Sequence, residues 1–291
     1  MSAIRVAMTL FGLLLANVQT GAAQDGRALA PAQVEILAEH LADLALVDRH
    51  AAAMAAESKD FAGHMAQLYL PEGGGVDWRE EIARIHDPAR VSALLIEAIE
   101  RRLQRAGHAE TQLFAAMGAT GVSVDSDGQG RELAARIELC DPIHQLRTFI
   151  RLDYAATQGS TLLGDIRAMI SDDGAVDTAL ASRLNRELAF ARGFNEAGGF
   201  GFPTAPGDQA ADLLEQLPDL RAEAAARTEM TYYAALAPLG EAGVGRIALV
   251  RQAPESRALR ALMAGAEAEV LDQLAEESGR AAARRQRGNA L

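Results

Sequence analysis

This sequence predicts an all-α fold, a multi-helix array of antiparallel amphipathic helices. Three observations carry that expectation. Apolar residues recur at three- and four-residue spacing, period-two alternation is nowhere sustained, and proline or glycine marks the end of one segment after another. Lys59 is the only lysine and aromatic residues make up 4% of the chain. The abundance of alanine raises helix propensity, and the core must be built from Leu, Ile, Val, Met and Ala at close helix–helix distances.

Residues 1–23 have the order of a secretory signal peptide: Arg5, an apolar run from Val6 to Val18, then small residues ending at Gly21–Ala22–Ala23. The run is shorter than the roughly 20 apolar residues that span a bilayer. The mature chain is therefore expected to begin after Ala23, without stable membrane insertion, in the periplasm or outside the cell. Losing Arg5 moves the formal charge from −12 to −13. So acidic a chain argues against nucleic acid as a partner. Cys140 is the only cysteine, so no intramolecular disulfide forms, and Ile137 and Leu139 beside it suggest burial.

Along the mature chain, Pro31 suits a first helical turn, and Val34, Leu37, Leu41 and Leu44 follow as one stripe. A second segment sets Phe61, Met65 and Leu68 on one side and ends at the loop Pro71–Gly75. Asp77 reads as a helix N-cap with Glu80 three residues on. Asp87–Pro88 and Asp141–Pro142 repeat one device, Asp at the cap and Pro at the first helical position. The first opens a stripe of Val91, Leu94, Leu95, Ala98 and Ile99, the second a stripe of Ile143, Leu146, Ile150 and Tyr154. Beyond the turn Asp172–Gly174, a long helix through Leu180, Leu184 and Leu188 runs into the Gly-Phe loop Gly198–Pro203. Three helices then follow, Pro218–Ala237, Leu239–Arg251 and Pro254–Leu274, and this stretch is the expected packing centre.

The expected organisation is a signal peptide at 1–23, an N-terminal helical half at 24–158, a C-terminal half at 159–279 packed on the first, and a basic flexible tail at 280–291. Gly130–Ala135 and Ser256–Ala261 echo one another and suggest a degenerate duplication.

Chemistry-bearing motifs are sparse. No H-E-x-x-H pairing is present among the six histidines, and no G-x-S-x-G elbow occurs. The run Asp125–Gly130 begins like a calcium loop, but the position that needs Glu is Arg136, which leaves Ser126 or Asp127 as a helix cap. No cofactor, metal ligand set or catalytic residue is assigned. Scarce aromatics that cluster, Tyr232, Tyr233, Phe200 and Phe202, together with Trp78, are the candidates for a binding surface.

Three segments carry a family resemblance: Leu70–Trp78, Asn185–Gly193 and Leu217–Arg221, with Tyr233–Arg260 resembling a paired-helix repeat. They are similar to an exported bacterial all-helical family known as domain of unknown function 2059. Ser256 stands where a Gly is typical, and the Gly-Phe loop is longer than expected. The resemblance implies an exported helical fold and no catalytic residue. The expected function is a non-catalytic module that binds an envelope protein or peptide. The alternative is a metal- or small-ligand-dependent enzyme using His40, His50 and Glu81, and a third reading sets the tail Arg280–Arg287 on anionic lipid.

Overall fold

The computed structural model describes residues 29–70, 74–120, 125–201 and 206–288, without the side chains of 118–120, 206–209 and 212. Their regular structure is entirely helical, so the fold is all-α. The signal segment, residues 71–73 and Phe202 lie outside the described residues. In chain order the helices are α1 (Pro31–Leu44), α2 (Val47–Tyr69), α3 (Gly75–Ile85), α4 (Pro88–Arg105), α5 (His108–Thr120), α6 (Ser126–Glu138) and α7 (Pro142–Thr157). Then come α8 (Thr161–Asp172), α9 (Ala175–Glu196), α10 (Pro206–Glu215), α11 (Leu217–Leu236), α12 (Gly240–Arg251) and α13 (Pro254–Gly288). None of the described helices is long and apolar enough to cross a membrane.

Local chemistry explains most helix starts. The Asp87 carboxylate accepts from the amides of Ala89 and Arg90, and Asp141 accepts from Ile143, with Pro at the first turn of α4 and α7 in turn. Asp125 caps α6 by accepting from the Gly128 amide at 3.0 Å, in place of Ser126 or Asp127. The start of α3 differs from the capping-box expectation. Gly74, at φ 79°, is its N-cap, and Asp77 lies in the first turn.

Two adjoining cores are strung along α13. The first joins Val34, Leu37 and Leu41 of α1, Met54 of α2, Val91, Leu95 and Ile99 of α4, and Leu259, Leu262, Ala266, Val270 and Leu274 of α13. In the second, Phe61 and Met65 of α2 and Trp78 and Ile82 of α3 meet Phe190 and Phe194 of α9 and Ala275, Ala281, Ala282 and Ala283 of α13. The boundary at 158 therefore does not separate two cores, because the last helix completes the core of the first half. Residues 280–288, expected to form a flexible tail, continue α13. Their alanines are buried, while Arg280 pairs with Glu196 and Arg284 with Glu81. Leu68 is a smaller correction: it is 60% exposed, because α2 buries Phe61, Ala62, Met65 and Ala66.

The most extensive helix pairing among the described residues is α9 with α13. It depends on two glycines. A Cβ added at Gly193 would stand 2.1 Å from the Glu276 carbonyl oxygen, and one at Gly279 would stand 2.0 Å from the Phe190 carbonyl oxygen. Both obstacles are backbone, so the helices must separate before any side chain can enter. We therefore expect Gly279→Ala to destabilise the protein by about 1–3 kcal/mol through overpacking. Gly63→Ala, on an open face of α2 with nothing within 4 Å, should stabilise it by about 0.5–1 kcal/mol. Urea unfolding of both variants checks this; equal effects would contradict the close-crossing account.

Candidate functional site

Helix α7 projects its apolar stripe into solvent. At 100° per residue, Ile143, Leu146, Ile150 and Tyr154 fall within about 80° of one another. They are 59%, 59%, 58% and 67% exposed, and Phe149 beside them is 55% exposed. The helix docks on the body through the opposite side, where Thr148 and Leu152 are buried. The apolar stripe read from the sequence is thus the outward face. One flank of it carries Arg147 and Arg151, both exposed, and the other carries Asp153.

Tyr233 on α11 ties α7 to the body. Its hydroxyl donates to the Arg151 carbonyl at 3.3 Å. The preceding residue, Tyr232, points to a buried ionic cluster and donates to Asp173 at 3.2 Å. At the centre of that cluster is Arg251, 3% exposed. Its Nε donates to Asp125 at 2.6 Å, one terminal nitrogen to Asp173 at 2.9 Å and the other to Glu132. The guanidinium lies 5.4 Å from the Tyr232 ring centroid, and Arg260 reaches the second oxygen of Asp173 at 2.6 Å. Burial opposes the Arg251 cation, but Glu132, Tyr232 and Asp125 outweigh it and raise its pKa. For Glu132, burial outweighs Arg251, and Asp125 and Asp173 add to it, so its carboxyl titrates above the usual range. Burial first, and then Glu132, raises the Tyr232 phenol.

A second buried network lies along the same face of α6. Arg136 forks onto Glu57 at 3.0 and 2.9 Å and reaches Glu267 at 3.0 Å. Glu267 also accepts from His50 Nδ1 at 2.8 Å. His50 Nε2 accepts from the Gln129 amide at 2.8 Å. Burial pushes the Glu267 carboxyl upward, but Arg136 and His50 hold it well below the ordinary range. Asp125, Gln129, Glu132 and Arg136 thus give α6 one polar edge, at spacings of four, three and four. Both ring nitrogens of His50 are engaged, and Glu81 pairs with Arg284 on another helix. His40, His50 and Glu81 therefore do not form the metal site of the alternative reading. No group of three or more His, Cys, Asp or Glu able to hold a metal occurs among the described residues.

The other sequence candidates have structural positions. Trp78 is 1% exposed and donates its indole N–H to the Ala62 carbonyl at 3.0 Å, which removes it from any binding surface. Phe200 is half-buried, edge-on to Phe194 at 4.9 Å and 6.1 Å from Tyr69, as the cover of the second core. Tyr232 and Tyr233 are half-buried links between α11 and its neighbours. Cys140 is also half-buried, with its thiol donating to the Arg136 carbonyl at 3.3 Å. Burial and then Glu57 raise its pKa, which disfavours the reactive thiolate. What the sequence reading missed is the direction of α7. A helix with apolar residues on both sides, Leu152 on one and Ile143–Tyr154 on the other, was the available signal.

No family model, curated protein or solved structure matches this chain.

Removing the cation from the first ionic cluster should be costly. Arg251→Met leaves Asp125, Glu132 and Asp173 facing one another in the interior, and a loss of about 3–5 kcal/mol is expected. Arg221→Ala, which breaks an exposed pair with Asp177, should cost less than about 1 kcal/mol. Denaturant midpoints of the two variants make the comparison, and a loss below about 1 kcal/mol for Arg251→Met would contradict the clustered geometry.

Proposed function

We propose that this protein is a non-catalytic, periplasmic binding module that presents α7 to an amphipathic helix of an envelope protein. One observation supports this reading above the others: five large apolar side chains of α7, Ile143, Leu146, Phe149, Ile150 and Tyr154, are each more than half exposed. Taking 150–250 Å² for a large side chain, the stripe offers on the order of 500 Å², at the upper end of what monomers expose. A stable interface between two folded proteins buries roughly 800 Å² on each side. The stripe alone is therefore short of a dimer interface and suits a single partner helix laid along it.

Charge narrows the partner further. Arg147 and Arg151 line one flank, so a helix whose own flank is acidic pairs best with it. A second copy pairs poorly. In an antiparallel two-fold arrangement like flanks meet, and Arg147 and Arg151 of both chains would face each other. The resemblance to an exported helical family, and the signal-like residues 1–23, are what favour the envelope as the setting.

A photo-crosslinking amino acid at position 146, with a second at the exposed position 226 of α11, tests this in cells exporting the protein. Position 146 should capture a discrete partner, and Ile150→Asp should abolish the capture without lowering the unfolding midpoint. The captured segment, made as a peptide, should bind the purified protein, and Arg147→Glu with Arg151→Glu should weaken it at least tenfold, or about 1.4 kcal/mol. Crosslinking only between copies of the chain, or equal capture at both positions, would overturn the proposal.

A further inference from the structure

Far from α7 in sequence, α3, α4 and α13 enclose a cleft of about 270 Å³ lined by Glu81, Arg84, Ile85, Arg90, Glu277, Arg280 and Arg284. Four guanidiniums and two carboxylates line it, on a chain of net charge −12. The four are not equivalent. Arg90 is fixed, with one terminal nitrogen donating to the Ile85 carbonyl at 2.6 Å and the other to both Glu277 oxygens at 2.8 and 2.6 Å. Arg280 is held by Glu196 at 2.9 Å and by Glu276. A guanidinium has five donor hydrogens, so both keep N–H groups free for a ligand. Arg284 has only a loose 3.5 Å contact with Glu81. Arg84 is exposed and makes no ion pair among the described residues.

We propose that this cleft is a binding site for a phosphomonoester dianion. Two guanidiniums are positioned in advance by their carboxylates, and two exposed ones, on α3 and on the last turns of α13, close over the ligand. Arg84, which makes no ion pair among the described residues, and Arg284, whose contact with Glu81 is loose, supply the charge that meets a dianion, and the planar donor forks match tetrahedral phosphate oxygens. The hollow also admits the first atoms of an esterified group. Phosphate in this form is carried both by small soluble esters and by phosphatidic acid headgroups, and the cleft recognises the chemistry the two share.

The test is titration of the full-length mature protein with inorganic phosphate, followed by calorimetry and by amide shifts of Arg84, Arg90 and Arg280, at constant ionic strength. Saturable binding is expected. Arg84→Gln leaves every ion pair intact and should weaken it; Arg84→Gln with Arg284→Gln should weaken it at least about tenfold, while Arg221→Gln on α11 should not. Vesicles of phosphatidic acid in phosphatidylcholine supply the second arm. If they bind, phosphate should compete and the double variant should release them, which assigns a lipid source; phosphate binding without vesicle binding assigns a soluble one. No saturable phosphate binding, or phosphate or vesicle binding unaffected by the double variant, would overturn the site.

Discussion

Backbone contact between α9 and α13 at Gly193 and Gly279 is the constraint on which the other packing depends. Because the two helices touch without intervening side chains, α13 can pass along both cores as one 35-residue helix. As far as Leu274 it supplies Leu259, Leu262, Val270 and Leu274 to the core of α1, α2 and α4. Beyond Leu274 it supplies only alanines to the core formed by α2, α3 and α9. That change from leucine to alanine along a single helix accompanies the change from ordinary to close spacing. The rings of Phe190 and Phe194 then fill the space that larger residues on α13 would have taken.

The polar interior follows a different logic. α6 brings Asp125, Gln129, Glu132 and Arg136 to one edge, and two buried networks share that edge between α12 and α13. Buried charges are tolerated only where partners replace water, and these are tightly partnered. Such a network adds little net stability, but it penalises any other register of α6, since a shift of one residue would strand charges on several helices. Tyr232 and Tyr233 extend this arrangement outward: one ring faces the Arg251 cluster, and the other's hydroxyl holds the backbone of α7.

Much of the fold was legible in the sequence. The Asp-Pro starts of α4 and α7 and the stripes of α1 and α4 follow from capping and periodicity. Where the reading failed, the deciding information was tertiary. Arg280–Arg287 looks like a solvated tail until its alanines find α9 and its arginines find acidic partners. Trp78 looks like a surface anchor until Ala62 offers a carbonyl. The stripe Ile143–Tyr154 shows periodicity without direction: the pattern marks a face, and the burial of Thr148 and Leu152 on the other side, with the bond from Tyr233, leaves that face outward. The arginine cleft was illegible because Arg84, Arg90 and Arg280 are brought together across nearly the whole chain.

The body built on α13 and the helix held away from it should differ in local stability. α7 buries little beyond Thr148 and Leu152, whereas the α9–α13 crossing is embedded in two cores, and opening free energies follow buried contact. Amide hydrogen exchange of the free protein measures this directly. The account predicts that α7 exchanges well before α9 and α13, and that a bound partner helix slows α7 selectively. Protection of α7 equal to that of α13 in the free protein would contradict it.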